Sequence, residues 1–248
     1  MASFAALVLA GTRPGGDPFA QSQGVSHKGL IEIGGQPMIS RVIAALFSAG
    51  AGRIIVSTDD PRLRDIAETL GAETIPSAHG PSESAALGLA AAGAPLLITT
   101  SDHALLRPEW ICTLIEGTPA NADLAVMLAR RDQVERALPG SRRTYLRFAD
   151  GDWSGCNLFY LQTDRAKAAI DLWRSVEQDR KRPWRIAARL GPATLLAMVF
   201  RRLTLAEGLA RLGHRIGLSA ALVPAPNGLA AVDVDKITDL ATVRTLLE

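Results

Sequence analysis

Short apolar runs alternate along this chain with amphipathic stretches. Residues 4–10, Phe-Ala-Ala-Leu-Val-Leu-Ala, are apolar throughout and stop at Gly11. That pattern predicts a strand buried on both faces, as in a parallel sheet. The run has no basic flank and leads straight into a glycine-rich loop, so it reads as a core strand and not as a secretory signal. A polar loop rich in Gly and Pro follows from Gly11 to Gly29. Gly35-Gln-Pro37 then opens a helix whose apolar positions Met38, Ile39, Val42, Ile43, Leu46 and Phe47 recur at helical spacing until Gly50 stops it.

The alternation continues. Residues 53–57 predict a second strand, Pro61 to Leu70 a helix ended by Gly71, and 73–75 a short third strand. Pro81 or Ser82 opens a helix to about Ala92, and Pro95-Leu-Leu-Ile-Thr-Thr is a buried strand that delivers Ser101-Asp102 at its end. Such alternation implies βαβ units and a mostly parallel sheet covered by helices on both faces. Beyond Pro108 the pattern loosens. A helix is expected at 108–116, antiparallel strands near 123–129, 144–149 and 155–161, and helices at 164–178, 183–190, 193–201 and 204–213. A last strand at 216–223 leads to Val232-Asp233-Val234-Asp235 and a closing helix from Thr238. No internal repeat or interdomain linker interrupts residues 1–248, which read as one domain with a basic helical insertion over about 164–215.

Composition narrows this picture. With 48% hydrophobic residues but only 5% aromatics, the core must rest on Leu, Ile, Val and Ala. The two cysteines, Cys112 and Cys156, have neither zinc-site nor redox-pair spacing, which suits a reduced cytoplasm. No stretch approaches the roughly 18 apolar residues of a membrane span. The net charge of +2 hides an asymmetry: Arg180 to Arg215 holds nine Lys or Arg against one acid, Glu207.

The first strand ends in Leu9-Ala10-Gly11-Thr12-Arg13-Pro14-Gly15-Gly16-Asp17-Pro18. In open α/β sheets ligands bind beyond the carboxyl ends of the strands. Glycines there let main-chain N–H groups approach an anion, while Arg13 and Lys28 supply charge for a triphosphate and a leaving pyrophosphate. Gly-x-Gly-x-x-Gly is absent and no Gly-Lys-Ser/Thr ends the loop, which excludes the dinucleotide fingerprint and the P-loop. A surface loop after a core strand is the plainer alternative.

Asp102 follows the strand at 95–100, and Asp233 and Asp235 lie at another strand-to-helix junction. Mg²⁺ takes one or two carboxylates and completes its shell with water and phosphate oxygens, so two aspartates from distant strand ends suit that ion. Each also has a use as a helix cap, Asp102 ahead of Pro108 and Asp235 ahead of the final helix.

Taken in order, Leu9-Ala10-Gly11-x-Arg13, Lys28, Gly34-Gly35-x-Pro37-Met38, Ser101-Asp102 and Asp233-x-Asp235-x-x-x-Asp239-Leu240 resemble the MobA-like NTP transferases. The resemblance covers about the first 110 residues and the last 20. It implies a GT-A-type, Rossmann-like nucleotide-binding fold and transfer of a nucleotidyl group from an NTP, with CTP or GTP the family's usual donors. By position, Leu9, Ala10, Gly11 and Thr12 would cradle the nucleotide, with Arg13 and Lys28 on its phosphates. Ser101 would flank it, and Ser82 and Ser84 would meet the base or ribose. Asp102 and Asp235 would hold Mg²⁺, with Asp233 a second candidate. The family's compact Gly-Gly-x-Gly-x-Arg loop is replaced here by Gly-Thr-Arg-Pro-Gly-Gly-Asp-Pro.

A phosphorylated small molecule or lipid precursor is the expected acceptor, with His103 and Asn157 as candidate contacts. Its phosphate is anionic near neutral pH and needs no general base, which agrees with the absence of a Ser-His-Asp or Cys-His set. A glycosyltransferase using a nucleotide-sugar would carry Asp-x-Asp where this chain has Asp102-His-Ala. A non-catalytic nucleotide-binding or membrane-associated protein is the rival of another class. The basic segment 180–215, with Trp184 and Phe200, fits a solvated helical face, a wall for an anionic acceptor, or peripheral contact with acidic lipid. No recognised motif accompanies it toward nucleic acid.

Overall fold

The computed structural model describes residues 3–12, 15–140, 143–179 and 200–248. These form two compact units, Met1–Cys112 with Val232–Glu248, and Thr113–Ala231.

In the first unit, β1 (Phe4–Leu9), β4 (Ala51–Ser57), β5 (Glu73–Ile75) and β6 (Leu96–Thr100) form a parallel sheet in the order β6-β1-β4-β5. Reversal of strand order about β1 makes its carboxyl end the switch point where such sheets bind ligands. Helices α2 (Met38–Ser48), α3 (Pro61–Thr69) and α4 (Pro81–Ala92) connect the strands. α3 starts where Asp60 accepts from the N–H groups of Arg62 and Leu63, with Pro61 pre-set for the first turn. Leu7, Ile39, Ile43, Leu46, Ile54 and Ile55 are fully buried, each contributing about 1.5–3 kcal/mol of transfer free energy. Gly88 brings α4 against β1: a Cβ there would lie 2.3 Å from Leu7 Cδ2.

The stretch read as loop, Gly11 to Gly29, contains the short helix α1 (Pro18–Ser22), which Asp17 caps, and a 3-10 turn at Lys28–Leu30. Gly35-Gln-Pro37 opens α2 as expected, with Pro37 at its N-cap, but Gln36–Pro37 is also the strand β3 of a two-stranded hairpin with β2 (Glu32–Ile33). Gly34 and Gly35, with φ of 57° and 72°, supply its left-handed turn. α5 (Pro108–Glu116) follows β6, and α9 (Ile237–Leu247) closes the chain.

In the second unit β10 (Ala220–Pro224) runs parallel to β7 (Leu124–Arg130), which pairs antiparallel with β9 (Gly151–Leu161); β8 (Leu146–Phe148) is antiparallel on the far side of β9. Helices α6 (Arg131–Ala137), α7 (Lys167–Gln178) and α8 (Leu205–Arg215) accompany these strands, and Thr204 and Glu207 form a capping box on α8. Val126, Leu128, Phe148, Trp153 and Leu205 make its core. Buried Asp123 ties the unit together by accepting from Ser219 N–H at 2.8 Å and Thr163 Oγ1 at 2.7 Å. The helices expected at 183–190 and 193–201 lie outside the described residues, except that Phe200 and Arg201 form a turn.

The result is the helix-flanked, mostly parallel α/β architecture that the alternating pattern predicts. Among the described residues no helix is long and apolar enough to cross a membrane.

Candidate functional site

Parallel register brings three strand ends together. Leu9 stands beside Ser57 and Thr100. Beyond the strands, Ala10 N–H donates to Ser57 O at 3.0 Å and Ser101 N–H to Leu9 O at 3.1 Å. Gly11 and Asp102 therefore emerge side by side. A Cβ on Gly11 would approach Ser77 Cβ to 3.3 Å, so the glycine lets two loops close on one another. Ser77 is in turn held by Asp59, which accepts from both its N–H and its hydroxyl.

His27 locks the lysine-bearing turn to this edge. Its buried ring accepts the Gly29 N–H at Nδ1, 2.9 Å. That requires the neutral tautomer with its proton on Nε2. Burial pushes the His27 pKa below the ordinary 6.5, and the nearby charge of Asp60 and the Gly11 backbone offset this only in part. Gly29 is needed because a Cβ would meet Ser101 Cβ and His27 Nδ1 at 3.2 Å each.

The turn aims Lys28 at two carboxylates distant in sequence. Its Nζ donates to Asp102 Oδ2 at 2.7 Å and to Asp235 Oδ1 at 2.5 Å. Burial works against the ammonium, but the Asp102 charge and hydrogen bonds to both aspartates outweigh it and hold the pKa well above the usual lysine range. Asp102 is fixed twice more: Thr100 Oγ1 donates to its Oδ1 at 2.5 Å, and its main-chain oxygen accepts from Val234 N–H at 3.1 Å. Val232 and Val234 are buried, which turns Asp235 outward. Asp235 N–H donates to Asp239 Oδ2 at 3.2 Å, anchoring the segment to the start of α9.

Neither aspartate caps a helix. Asp102 lies in a turn ahead of α5, and the residue capping α9 is Lys236, without a side-chain bond. One ammonium facing two carboxylates leaves excess negative charge. Among the described residues no three His, Cys, Asp or Glu converge to hold a metal. Two carboxylates on one point are, however, the usual protein share for Mg²⁺, whose shell water and phosphate complete. The residues present fit that ion.

The other sequence-predicted positions distribute as follows. Leu9 ends β1, Ala10 is buried, and Gly11 and Thr12 are exposed at the loop. Arg13 lies outside the described residues. Ser101 is buried where the Lys28 turn packs. Ser84 is buried and accepts Ala78 N–H at 3.0 Å, so it shapes the loop before α4; Ser82, two residues earlier, is also buried. His103 is buried with its ring stacked on Trp110, centroids 6.0 Å apart. Asp233 is half-buried, and Asp235 is the C-terminal aspartate that reaches Lys28. Asn157 belongs to the second unit, in β9, where φ of 50° coincides with a shift in register against β7. Sequence reasoning missed His27, Thr100, Ser77 and Asp59. The first two adjoin Lys28 and Asp102 in sequence, and that adjacency was the available signal.

Residues 6–193 match the MobA-like NTP transferase domain. The chain belongs to that family. A hypothetical transferase structure from Thermus thermophilus is 30% identical, with a TM-score of 0.82 over 96% of this chain and 99% of that one. The structure of CMP:2-keto-3-deoxy-manno-octonic acid synthetase complexed with CTP is 19% identical with a TM-score of 0.60, over 99% of this chain and 98% of that one, a likeness of fold. A 45-residue stretch is 42% identical to 3-deoxy-manno-octulosonate cytidylyltransferase of Coxiella burnetii, spanning 18% of this chain and 18% of that relative's length. Family membership sets this chain among the nucleotidyltransferases.

Proposed function

We propose that this protein is a Mg²⁺-dependent nucleotidyltransferase that moves CMP from CTP to a small phosphorylated acceptor. The observation carrying this is the convergence of Asp102 and Asp235 on Lys28, beside the exposed Gly11 loop. An oxygen of the acceptor phosphate attacks the α-phosphorus in line. The bond from that phosphorus to the bridging oxygen breaks, and pyrophosphate leaves with the electron pair. Lys28 supplies positive charge to the phosphates, with Arg13 as a second donor, while the Gly11 loop admits them to the main chain. When bound, Mg²⁺ supplies charge neutralisation, and Asp102 and Asp235 hold it. CTP is favoured over GTP by the stretch shared with a cytidylyltransferase.

A cytoplasmic setting is part of this reading, supported by two cysteines with neither zinc-site nor redox-pair spacing. Peripheral contact with an acidic membrane through residues 180–215 would suit a lipid-precursor acceptor, and it is supported by the basic excess of that segment.

The test incubates the protein with Mg²⁺, each of the four NTPs and a panel of sugar, alditol, inositol and cobinamide phosphates, reading pyrophosphate release. Release that depends on one acceptor and is fastest with CTP is expected. Absence of Mg²⁺-dependent binding of any NTP by calorimetry would refute transferase function.

A further inference from the structure

The ammonium of Lys28 stands where a divalent cation would be held. It bonds one oxygen of Asp102 at 2.7 Å and one of Asp235 at 2.5 Å, and the Lys28 and Asp102 side chains are largely screened from water. No second cation is needed to keep these carboxylates together, because Val234 N–H fastens the C-terminal segment to the Asp102 main chain and Thr100 orients the Asp102 carboxylate. The lysine is itself held at its base, since His27 clamps the Gly29 N–H and Gly29 leaves no room for the turn to shift. Its four-carbon stem, by contrast, carries rotatable bonds through which the ammonium can be re-aimed.

We propose that Lys28 is a resident counter-ion that keeps the Asp102–Asp235 pair closed to divalent metal until a nucleotide draws the ammonium onto its phosphates. This rests on the transferase reading for the identity of the nucleotide, but not for the competition between ammonium and metal. With Lys28 in place the pair is already partly neutralised, and a metal must displace a short charge-assisted contact. With Lys28 withdrawn, two like charges face each other, and a divalent ion relieves their repulsion. Nucleotide and metal therefore bind with positive coupling, each favouring the arrangement the other needs.

One consequence runs against the usual effect of deleting a site residue: removing the lysine strengthens metal binding. The probe is Mn²⁺ alone, without nucleotide, followed by the loss of the free-ion electron paramagnetic signal and by the thermal shift of the protein. Lys28→Met is expected to bind Mn²⁺ at least about ten-fold more tightly than the wild type. Lys28→Met combined with Asp235→Asn should lose that gain. Lys28→Gln, which keeps a polar group on a shorter stem, provides the same comparison if the methionine variant does not fold. Equal Mn²⁺ affinity in the wild type and in a folded lysine variant would overturn the proposal. A gain in metal affinity in the lysine variant, beside a wild type that shows no Mg²⁺-dependent binding of any NTP, would instead support the counter-ion role while refuting transferase function, so the two failures are distinguishable.

Discussion

Asp102 and Asp235 share one ammonium but not one environment, and that difference gives a quantitative prediction. The side chains of Lys28 and Asp102 are 19% and 13% exposed, whereas Asp235 is 60% exposed. The Asp102 contact is therefore weakly screened, and Asp102→Asn should lose a charge-assisted bond costing about 2 kcal/mol of stability. The Thr100 hydroxyl still finds an amide oxygen to bond, which keeps the loss below that of a bare cavity. Asp235→Asn, at a wet position, should cost at most about 1 kcal/mol and less at high salt. Catalysis should not follow this ranking. On the proposed mechanism both carboxylates would hold the cation that neutralises charge developing on the phosphates, so each substitution should slow turnover by about 100-fold or more. Urea denaturation measures the first effect and acceptor-dependent pyrophosphate release the second. A double-mutant cycle with Lys28→Met isolates the Lys28–Asp102 coupling from the cost of leaving either partner alone. Equal stability losses at the two positions, or an active Asp235→Asn enzyme, would refute the reasoning.

Other outcomes follow from the same geometry. His27 is held neutral by burial, so the unfolded chain takes up a proton there before the folded one does. Its contribution to stability is complete above about pH 6.5 and declines as the pH falls through that value; thermal scans should show a flatter acid slope in His27→Asn than in the wild type. Asp123 accepts from Ser219 and Thr163 inside the second unit, and Asp123→Ala should cost about 3 kcal/mol in chemical denaturation, against a small change for exposed Asp171→Ala. A Cβ at Gly228 would come within 2.3 Å of the Gln133 carbonyl oxygen. Gly228→Ala must therefore move backbone, and differential scanning calorimetry should record a loss of about 1–3 kcal/mol.

The parts of the fold legible in the sequence are those built on apolar continuity. β1 appears as an unbroken hydrophobic run and β4 and β6 carry apolar cores at Ile54-Ile55-Val56 and Leu96-Leu97-Ile98, and α3, α4 and α5 open at prolines within a residue of where the structure begins them. α6 was invisible because Arg131–Ala137 buries Val134 alone among its residues and carries no apolar period. α1 and the Lys28 turn were hidden in a stretch whose glycines and prolines read as loop, although Asp17-Pro18 is a capping pair in its own right. The candidate site was legible as a set of residue types at strand ends. Its closure was not. Lys28 lies 74 residues from Asp102 and 207 from Asp235, and only the parallel register of β1 and β6 with the Val234 tie brings them to one point. The lysine expected on phosphates and the aspartates expected on a metal thus hold one another, an arrangement no local pattern encodes.

Transfer of a nucleotidyl group, as distinct from mere hydrolysis or binding of an NTP, is tested most directly with CTP carrying label in its α-phosphate. With Mg²⁺ and a phosphorylated acceptor, the label should pass to the acceptor while unlabelled pyrophosphate is released in equal amount, and Asp102→Asn should abolish both. Label recovered only as free CMP, or unchanged CTP with every acceptor and with GTP as well, would contradict nucleotidyl transfer at the Lys28–Asp102–Asp235 site.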